Sequence, residues 1–324
     1  PYEGVMYEFN FRRAKLLVTP NHNVYYKPYK GFKEWSLIPA AMVASRTHGY
    51  LRVKFSHRGA SSDYFDIHKY IEMPSKALKY PQKAHPKPKL GPLKTDDFLE
   101  LLGWYLTEGS IFRTKGGDYV QLRNSKYLDE IIALLDRMGL DYSVYKRGKV
   151  IIFHRDLAEY FKRCGVYSHL KQIPEEIFEL SSEHLKHLFD TMMKGDGHIV
   201  GKRPYVYYTS SPKLRDQFCI LCLLLGYSAY WRELNKKQGG IINGRPVKCK
   251  HKSYYVVVSY NPVGYFDLRN KQIRAVNYKG KVWCYRTTTG NFFTVRDGTP
   301  TLSGNSGKTQ ICYQVVYNCV KTLK

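Results

Sequence analysis

Apolar and polar positions alternate through the first part of the chain, the period of an extended backbone. Residues 5–11 read as a strand, residues 15–27 as strand, tight turn and strand, and residues 35–38 and 50–55 continue the β-rich pattern. The pattern changes at Phe98. Residues 98–110 read as an apolar helix with Gly103 in its middle and Glu108 followed by Gly109 at its end. A glycine inside a buried helix costs about 1 kcal/mol against alanine, and the usual compensation is close approach of another backbone. A candidate partner lies 88 residues on, where residues 187–197 repeat the form with Asp196 and Gly197 at the end and Thr191 at the level of Gly103.

The similarity continues downstream. Ser125 to Leu128 is echoed by Ser211 to Leu214, and residues 134–145 by residues 220–230, at offsets of 86 to 88 residues. Two copies of one supersecondary unit follow from this, each opening on a helix that ends in a carboxylate. Strand-like segments at 119–122, 142–145 and 150–153 in the first copy answer to 205–208, 228–233 and 253–259 in the second. If the helices pack as a pseudo-two-fold pair, Glu108 and Asp196 come side by side. Two close carboxylates repel unless a cation lies between them, and a hard divalent cation, Mg²⁺ or Mn²⁺, suits such oxygen ligands. Either helix alone reads equally as core helix plus C-cap; the duplication is what distinguishes the site.

Charge narrows the partner. Among 324 residues there are 52 Lys+Arg against 27 Asp+Glu, a net charge of +25, which points to a polyanion, and nucleic acid above a membrane. No apolar run is long enough to span a bilayer and no signal peptide opens the chain. Hydrophobic residues make up 43 %, so the chain folds around a core. Seven cysteines without framework spacing fit a reducing, cytoplasmic setting, and Cys219-x-x-Cys222 lies in an apolar run and reads as helix core. Lys248, Lys250 and Lys252 occupy every second position of residues 247–252 and would share one strand face, with Arg232 on a neighbouring strand. Lys146, Arg147 and Lys149 offer a similar basic edge in the first copy. Both edges suit the backbone of double-stranded DNA.

The two acid-ended helices resemble the motifs of the LAGLIDADG homing-endonuclease family. Glu108 stands where the family usually has Asp, and Lys194 where a small residue is common. The resemblance implies a pseudo-two-fold αββαββα nuclease domain, acting as a monomer, with Glu108 and Asp196 as catalytic metal ligands. Lys171, just before Ile173-Pro174, looks like the lysine of the block between the two motifs in intein endonucleases. There it orients water or offsets phosphate charge; a loop-capping lysine is the other reading.

The flanks resemble inteins. Residues 282–295 and 301–306 look like the C-terminal splicing blocks, with Asn305 as last intein residue and Ser306 as first residue of the C-extein. Asn305 can cyclise and cut its own bond to Ser306, whose Oγ can accept an acyl group. Thr19 and His22 match the Thr-x-x-His of the N-side block, where the histidine polarises the upstream scissile amide; on spacing alone they are turn residues. Gly304 and Gly290 stand where histidines are frequent, and Cys284 where Asp is frequent. Cys284 is open between tuning the C-side steps and a buried structural thiol. The chain opens at Pro1 without the block bearing a Cys or Ser nucleophile, so a fragment that does not splice alone in cis is expected.

After the junction, Ser306-Gly307-Lys308-Thr309 is the back half of a P-loop, and its continuation looks like the Walker A helix of RadA-type recombinases. Lys308 and Thr309 would meet nucleotide phosphate and Mg²⁺ only after splicing. The expected architecture is α+β: a β-rich Hint-type splicing domain in two parts, 1–85 and 266–305, around a nuclease at 95–265. A Pro/Lys linker occupies 86–94 and the start of the C-extein 306–324. The partners implied are double-stranded DNA and the host exteins in cis. A remnant that binds DNA or RNA without cutting, keeping only C-side splicing chemistry, is the alternative.

Overall fold

The computed structural model of the chain describes residues 1–11, 14–30, 34–51, 57–71, 90–115, 117–199, 205–234, 241–242, 245–246, 251–260, 264–267, 272–283, 287 and 291–304. Two apolar clusters organise them. The smaller contains Met6, Phe9, Leu16, Val24 and Leu51 with Ile273 from the other end of the chain. The larger runs from Phe65 to Val258.

The chain begins with β1 (Tyr2–Asn10), β2 (Lys15–Val18), β3 (Asn23–Pro28), β4 (Ser36–Pro39), α1 (Ala40–Ala44) and β5 (His48–Leu51). In β1 the buried positions are Met6 and Phe9, three residues apart and so on opposite faces, while Glu3 and Val5 near its start are exposed; both buried side chains belong to the small core. A short pair, β6 (Tyr64–Phe65) and β7 (Leu93–Lys94), then leads into α2 (Thr95–Glu108).

The first copy comprises α2, β8 (Gly109–Thr114), β9 (Gly117–Arg123), α3 (Leu128–Arg137), β10 (Tyr142–Tyr145) and β11 (Lys149–Ile152), closed by α4 (Arg155–Arg163). Its antiparallel sheet has the order β10-β11-β9-β8. The second comprises α5 (Ser182–Asp196), β12 (Gly197–Ile199), β13 (Tyr205–Thr209), α6 (Pro212–Leu224), β14 (Ser228–Glu233), a small hairpin of β15 (Ile241–Ile242) and β16 (Arg245–Pro246), and β17 (Tyr254–Ser259). Its sheet has the order β12-β13-β17-β14, the same succession of equivalent strands.

The second helix of each copy also ends alike. The N–H of Leu140 reaches Leu135 O at 3.0 Å and that of Gly139 reaches Asp136 O at 3.0 Å. Tyr227 and Gly226 repeat this on Cys222 O and Leu223 O, both at 2.8 Å. These are paired Schellman closures, and both glycines take the left-handed φ that the motif demands, 64° and 75°. Cys219 and Cys222 are buried in α6, as the apolar run suggests.

The end of the chain returns to its beginning. β18 (Gly264–Asp267), β19 (Ile273–Gly280), β20 (Asn291–Arg296) and β21 (Thr299–Gly304) follow. β19 pairs with β1 from Tyr2↔Gly280 to Phe9↔Ile273, and the six-stranded sheet of order β18-β5-β3-β21-β20 takes β4 onto β3.

Three expectations change. Among the described residues the second copy has no closing helix: the chain after β17 passes to β18, which β5 takes up, so the αββαββα pattern holds for the first copy alone. The N-side segment leaves the flanking sheet before Ala60, not at residue 85. Ala60 bridges to Leu180, Phe65 stacks on Phe98 at 4.5 Å, and Ile67 joins the large core. Lys252 lies ahead of β17 and not on a strand, so it does not present the striped face expected of it. Most of the proline-rich connector lies outside the described residues. Among the described residues no helix is long and apolar enough to cross a membrane.

Candidate active site at two paired helix ends

Helices α2 and α5 run parallel, with residue set against counterpart. Near their starts, Asp96 Oδ1 and His184 Nδ1 are 2.6 Å apart. Half-way along, a β-carbon on Gly103 would stand 2.7 Å from Thr191 Cβ. Lower down, one on Gly195 would collide with the Thr107 side chain, 2.6 Å from its Cβ. At the ends the charge of Glu108 acts on Asp196. All four pairs are separated by 88 residues, as a two-fold axis between the helices requires. Gly103 and Thr191 are therefore small for the reason the pattern suggested: the helices touch there.

The glycines after the acids are also steric. A β-carbon on Gly109 would lie 2.5 Å from Tyr105 O, and one on Gly197 would lie 2.7 Å from Met193 Cα and collide with the Met193 carbonyl. Each chain thus turns sharply from helix into strand and leaves its carboxylate at the tip.

Burial, then the charge of Glu108, pushes the Asp196 carboxyl up to about 7. Burial raises Glu108 as well, opposed by a hydrogen bond from Asn124 Nδ2 to Glu108 Oε1 at 2.9 Å. Among the described residues Asp196 accepts no hydrogen bond. The negative ends of two helix dipoles converge on the same spot, which further disfavours paired carboxylate charge. The hydroxyl of Tyr207, fully buried, has no hydrogen-bond partner among the described residues, and its titration is raised by burial and by Asp196. Asn124 and Tyr207 escaped the sequence reading. Asn124 stands one residue before the repeated Ser-x-x-Leu, and Tyr207 looks like any core aromatic on a strand.

Lys171 is buried, and its Nζ donates to Tyr105 O at 2.9 Å and lies 3.4 Å from the centre of the Tyr105 ring. Burial lowers it to about 7. It reaches the end of α2 through a backbone carbonyl, and among the described residues no hydrogen bond joins it to either acid.

The two sheets present different outer faces. Val120 and Leu122 of β9 sit in the core, so Tyr119, Gln121 and Arg123 face away. Register sets Gln121 beside Ser110 and Arg123 beside Lys149. The Lys149 ammonium lies 4.8 Å above Phe112 and 5.3 Å above Tyr145. Lys146 and Arg147 are exposed at the β10–β11 tip, Arg147 with φ 61°. In the second copy, Tyr208 and Tyr255 face out as a cross-strand pair, and Arg232 is exposed opposite Tyr255. Lys252 pairs with Glu233 at 3.1 Å. Lys248 and Lys250 lie outside the described residues.

In the flanking sheet Thr19 and His22 close a turn, His22 N–H donating to Thr19 O at 3.0 Å. Both side chains are buried. His22 Nε2 is 2.6 Å from Ser303 Oγ on β21, Nδ1 has no partner among the described residues, and burial lowers the imidazole to about 4. Cys284, Asn305, Ser306, Lys308 and Thr309 lie outside the described residues.

No protein-family model matches the chain. It is 31 % identical over 157 residues, 41 % of its length, to an uncharacterized protein of Methanocaldococcus jannaschii, of which it covers 17 %. It is 20 % identical over 94 % of its length to the C-terminal section of a DNA-directed RNA polymerase β subunit of Stigeoclonium helveticum, covering 32 % of that protein. Over its whole length it is 21 % identical to the β subunit of ribonucleoside-diphosphate reductase of Aquifex aeolicus, covering 45 %. The chain thus spans less than half of each of these relatives.

Among solved structures it is similar to I-DmoI in complex with DNA and Mn, at TM-score 0.36 and 13 % identity over 51 % of this chain and 90 % of that one. It is also similar to I-WcaI bound to its DNA recognition sequence, at TM-score 0.31, 11 % identity, 52 % and 76 % coverage. A third is the N-terminal LAGLIDADG domain of DUF199/WhiA, at 0.32, 10 %, 52 % and 78 %. All three scores are low, and the topology above stands on its own strand order.

Among the described residues no group of three or more His, Cys, Asp and Glu side chains could hold a metal. The acid pair supplies two hard oxygen donors with a shared excess of negative charge. That set fits Mg²⁺ or Mn²⁺ with further oxygen ligands from outside the protein, and does not fit a closed structural zinc site.

Proposed function

We propose that the chain is a protein-splicing element of the intein type carrying a LAGLIDADG-type homing endonuclease, which makes a site-specific double-strand break in DNA with a divalent cation. The parallel helix pair, bringing counterpart acids together between two equivalent sheets, carries the nuclease reading. The charge of +25 supports a polyanionic substrate.

A bound Mg²⁺ or Mn²⁺ would neutralise the carboxylates, activate water and stabilise the leaving 3′ oxygen. The chain's own residues do the rest. Glu108 is held at the helix tip by Asn124. Asp196, raised to about 7, has to release its proton before it can ligate, so cutting rises with pH through that region. Arg123, Lys149, Lys146, Arg147 and Arg232 neutralise phosphates along the two sheets.

Two further observations support the splicing element. Strands from both ends of the chain pair with one another, β1 with β19 and β3 with β21, as a nuclease inserted into a splicing domain would leave them. Similarity along almost the whole chain to parts of a polymerase subunit and of a reductase subunit is what an insert shared by different hosts would give. The C-side junction at Asn305–Ser306 and the RadA-type host, whose P-loop Lys308 and Thr309 would complete, rest on sequence resemblance alone.

The nuclease test is cleavage of DNA bearing the uninterrupted host gene, with Mg²⁺, by the chain and by Glu108→Gln and Asp196→Asn. Cutting by the chain and none by the variants is expected; equal cutting by all three eliminates these acids, and binding without cutting leaves the silent remnant. For splicing, mass spectrometry should show release of the segment after Asn305, abolished in Asn305→Ala.

A further inference from the structure

The two acids meet as counterparts but are not held alike. Asn124 Nδ2 donates to Glu108 Oε1 at 2.9 Å. The other end of the same amide is committed: Asn124 Oδ1 accepts from Lys126 N–H at 2.9 Å and from Tyr127 N–H at 3.0 Å. With its oxygen tied to two backbone donors, the amide has one way to face, and its NH₂ must point at Glu108. Its backbone is fixed as well, Asn124 N–H donating to Gly148 O at 3.0 Å across the sheet. In the second copy the matching position, 86 residues on, is Ser210. Among the described residues no hydrogen bond joins Ser210 to Asp196.

We propose that Asn124 is a positioning residue that presets Glu108 as the fixed half of the acid pair, leaving Asp196 as the half that the cation must recruit. The proposal rests on the nuclease reading for its role in cutting, but the Asn124–Glu108 link stands on geometry alone. The hydrogen bond occupies Oε1 and leaves Oε2 for a cation. A donor on an ionised carboxylate is charge-assisted, so it favours the form that ligates. Groups that orient a metal ligand in this way change metal affinity by about 10- to 100-fold when removed.

Two variants separate positioning from folding. Asn124→Ser keeps an acceptor for the turn's backbone donors but is too short to reach Glu108. Asn124→Asp keeps both turn contacts at the same length and turns a negative oxygen towards Glu108. The first readout is the titration of the Glu108 side-chain carboxyl, followed by NMR in the full chain. Its midpoint should rise in Asn124→Ser and rise further in Asn124→Asp, with thermal melting close to wild type in both. The second readout is the Mg²⁺ concentration for half-maximal DNA cleavage. It should increase about 10-fold in Asn124→Ser, with the rate at saturating Mg²⁺ near that of wild type.

An unmoved Glu108 midpoint in either folded variant overturns the proposal, as does an unchanged Mg²⁺ requirement in Asn124→Ser. If the wild-type chain does not cut DNA, the nuclease reading fails, and the Glu108 titration still decides whether Asn124 governs that carboxyl.

Discussion

The first and second copies of the helix–sheet unit share a strand order, a Schellman-closed second helix and a glycine that turns the chain behind the acid. They differ where each meets its surroundings. The outer face of the first sheet carries Arg123 and Lys149 with Lys146 and Arg147 at its tip; that of the second carries Tyr208, Tyr255 and Arg232. The first closes on α4, whereas the second hands the chain to β18. The second also receives the β20–β21 hairpin, where a β-carbon on Gly298 would lie 2.6 Å from Asp216 Oδ1. Its acid is the more deeply buried and, among the described residues, lacks a donor. The two copies thus share a backbone topology and differ in the side chains that they present.

The largest expected effect tests whether both copies are needed at the centre. Glu108→Gln and Asp196→Asn should each reduce DNA cleavage on the order of 10³-fold, since metal-supplied charge stabilisation is worth several kcal/mol. A loss confined to one variant in a cleavage assay would break the symmetry of the site. Next come the helix contacts. Gly103→Val and Gly195→Val should each destabilise the fold by ~3 kcal/mol in denaturant unfolding, because the facing Thr191 and Thr107 leave no room for a side chain. Wild-type stability for either would place the helices further apart.

Asp196→Asn should also have a stability signature that Glu108→Gln shows less strongly. The Asp196 carboxyl is raised from 3.8 to about 7 in the folded chain, so between those values the folded state binds more protons and stability falls as pH rises. Removing the charge should therefore stabilise the chain by ~4 kcal/mol at pH 8 and hardly at all at pH 4, read by thermal melting. A gain that is the same at both pH values contradicts the buried-charge account. The smallest effects distinguish the sheet faces. Arg123→Ala and Lys149→Ala should each lower the slope of log affinity against log salt by about 1 on duplex DNA. Tyr208→Ala should weaken binding without changing that slope.

Much of the centre was legible because it is written locally and then written twice. A helical apolar run, a small residue in its middle and an acid before glycine give the pairing of Gly103 with Thr191 and of Glu108 with Asp196. The short strands β8 and β12 were missed, since three to six residues after a glycine carry too little alternation to register. Asn124 was missed because its meaning lies in reaching back 16 residues to a carboxylate, which no periodicity encodes. The bond between His22 and Ser303 spans 281 residues, and only the closure of the flanking sheet brings its partners together. Lys252 failed as a strand residue because β17 begins two residues after it, and alternation of lysines does not mark where a strand starts.

The most direct test of the shared site is Mn²⁺ binding to the full chain with duplex DNA, followed by calorimetry with the released protons counted. A single strong site is expected. It should release more protons at pH 6 than at pH 8, because Asp196 gives up its proton to bind, and be lost in both Glu108→Gln and Asp196→Asn. Undiminished binding in either variant, or binding without proton release at pH 6, would contradict a cation held jointly by the two helix ends.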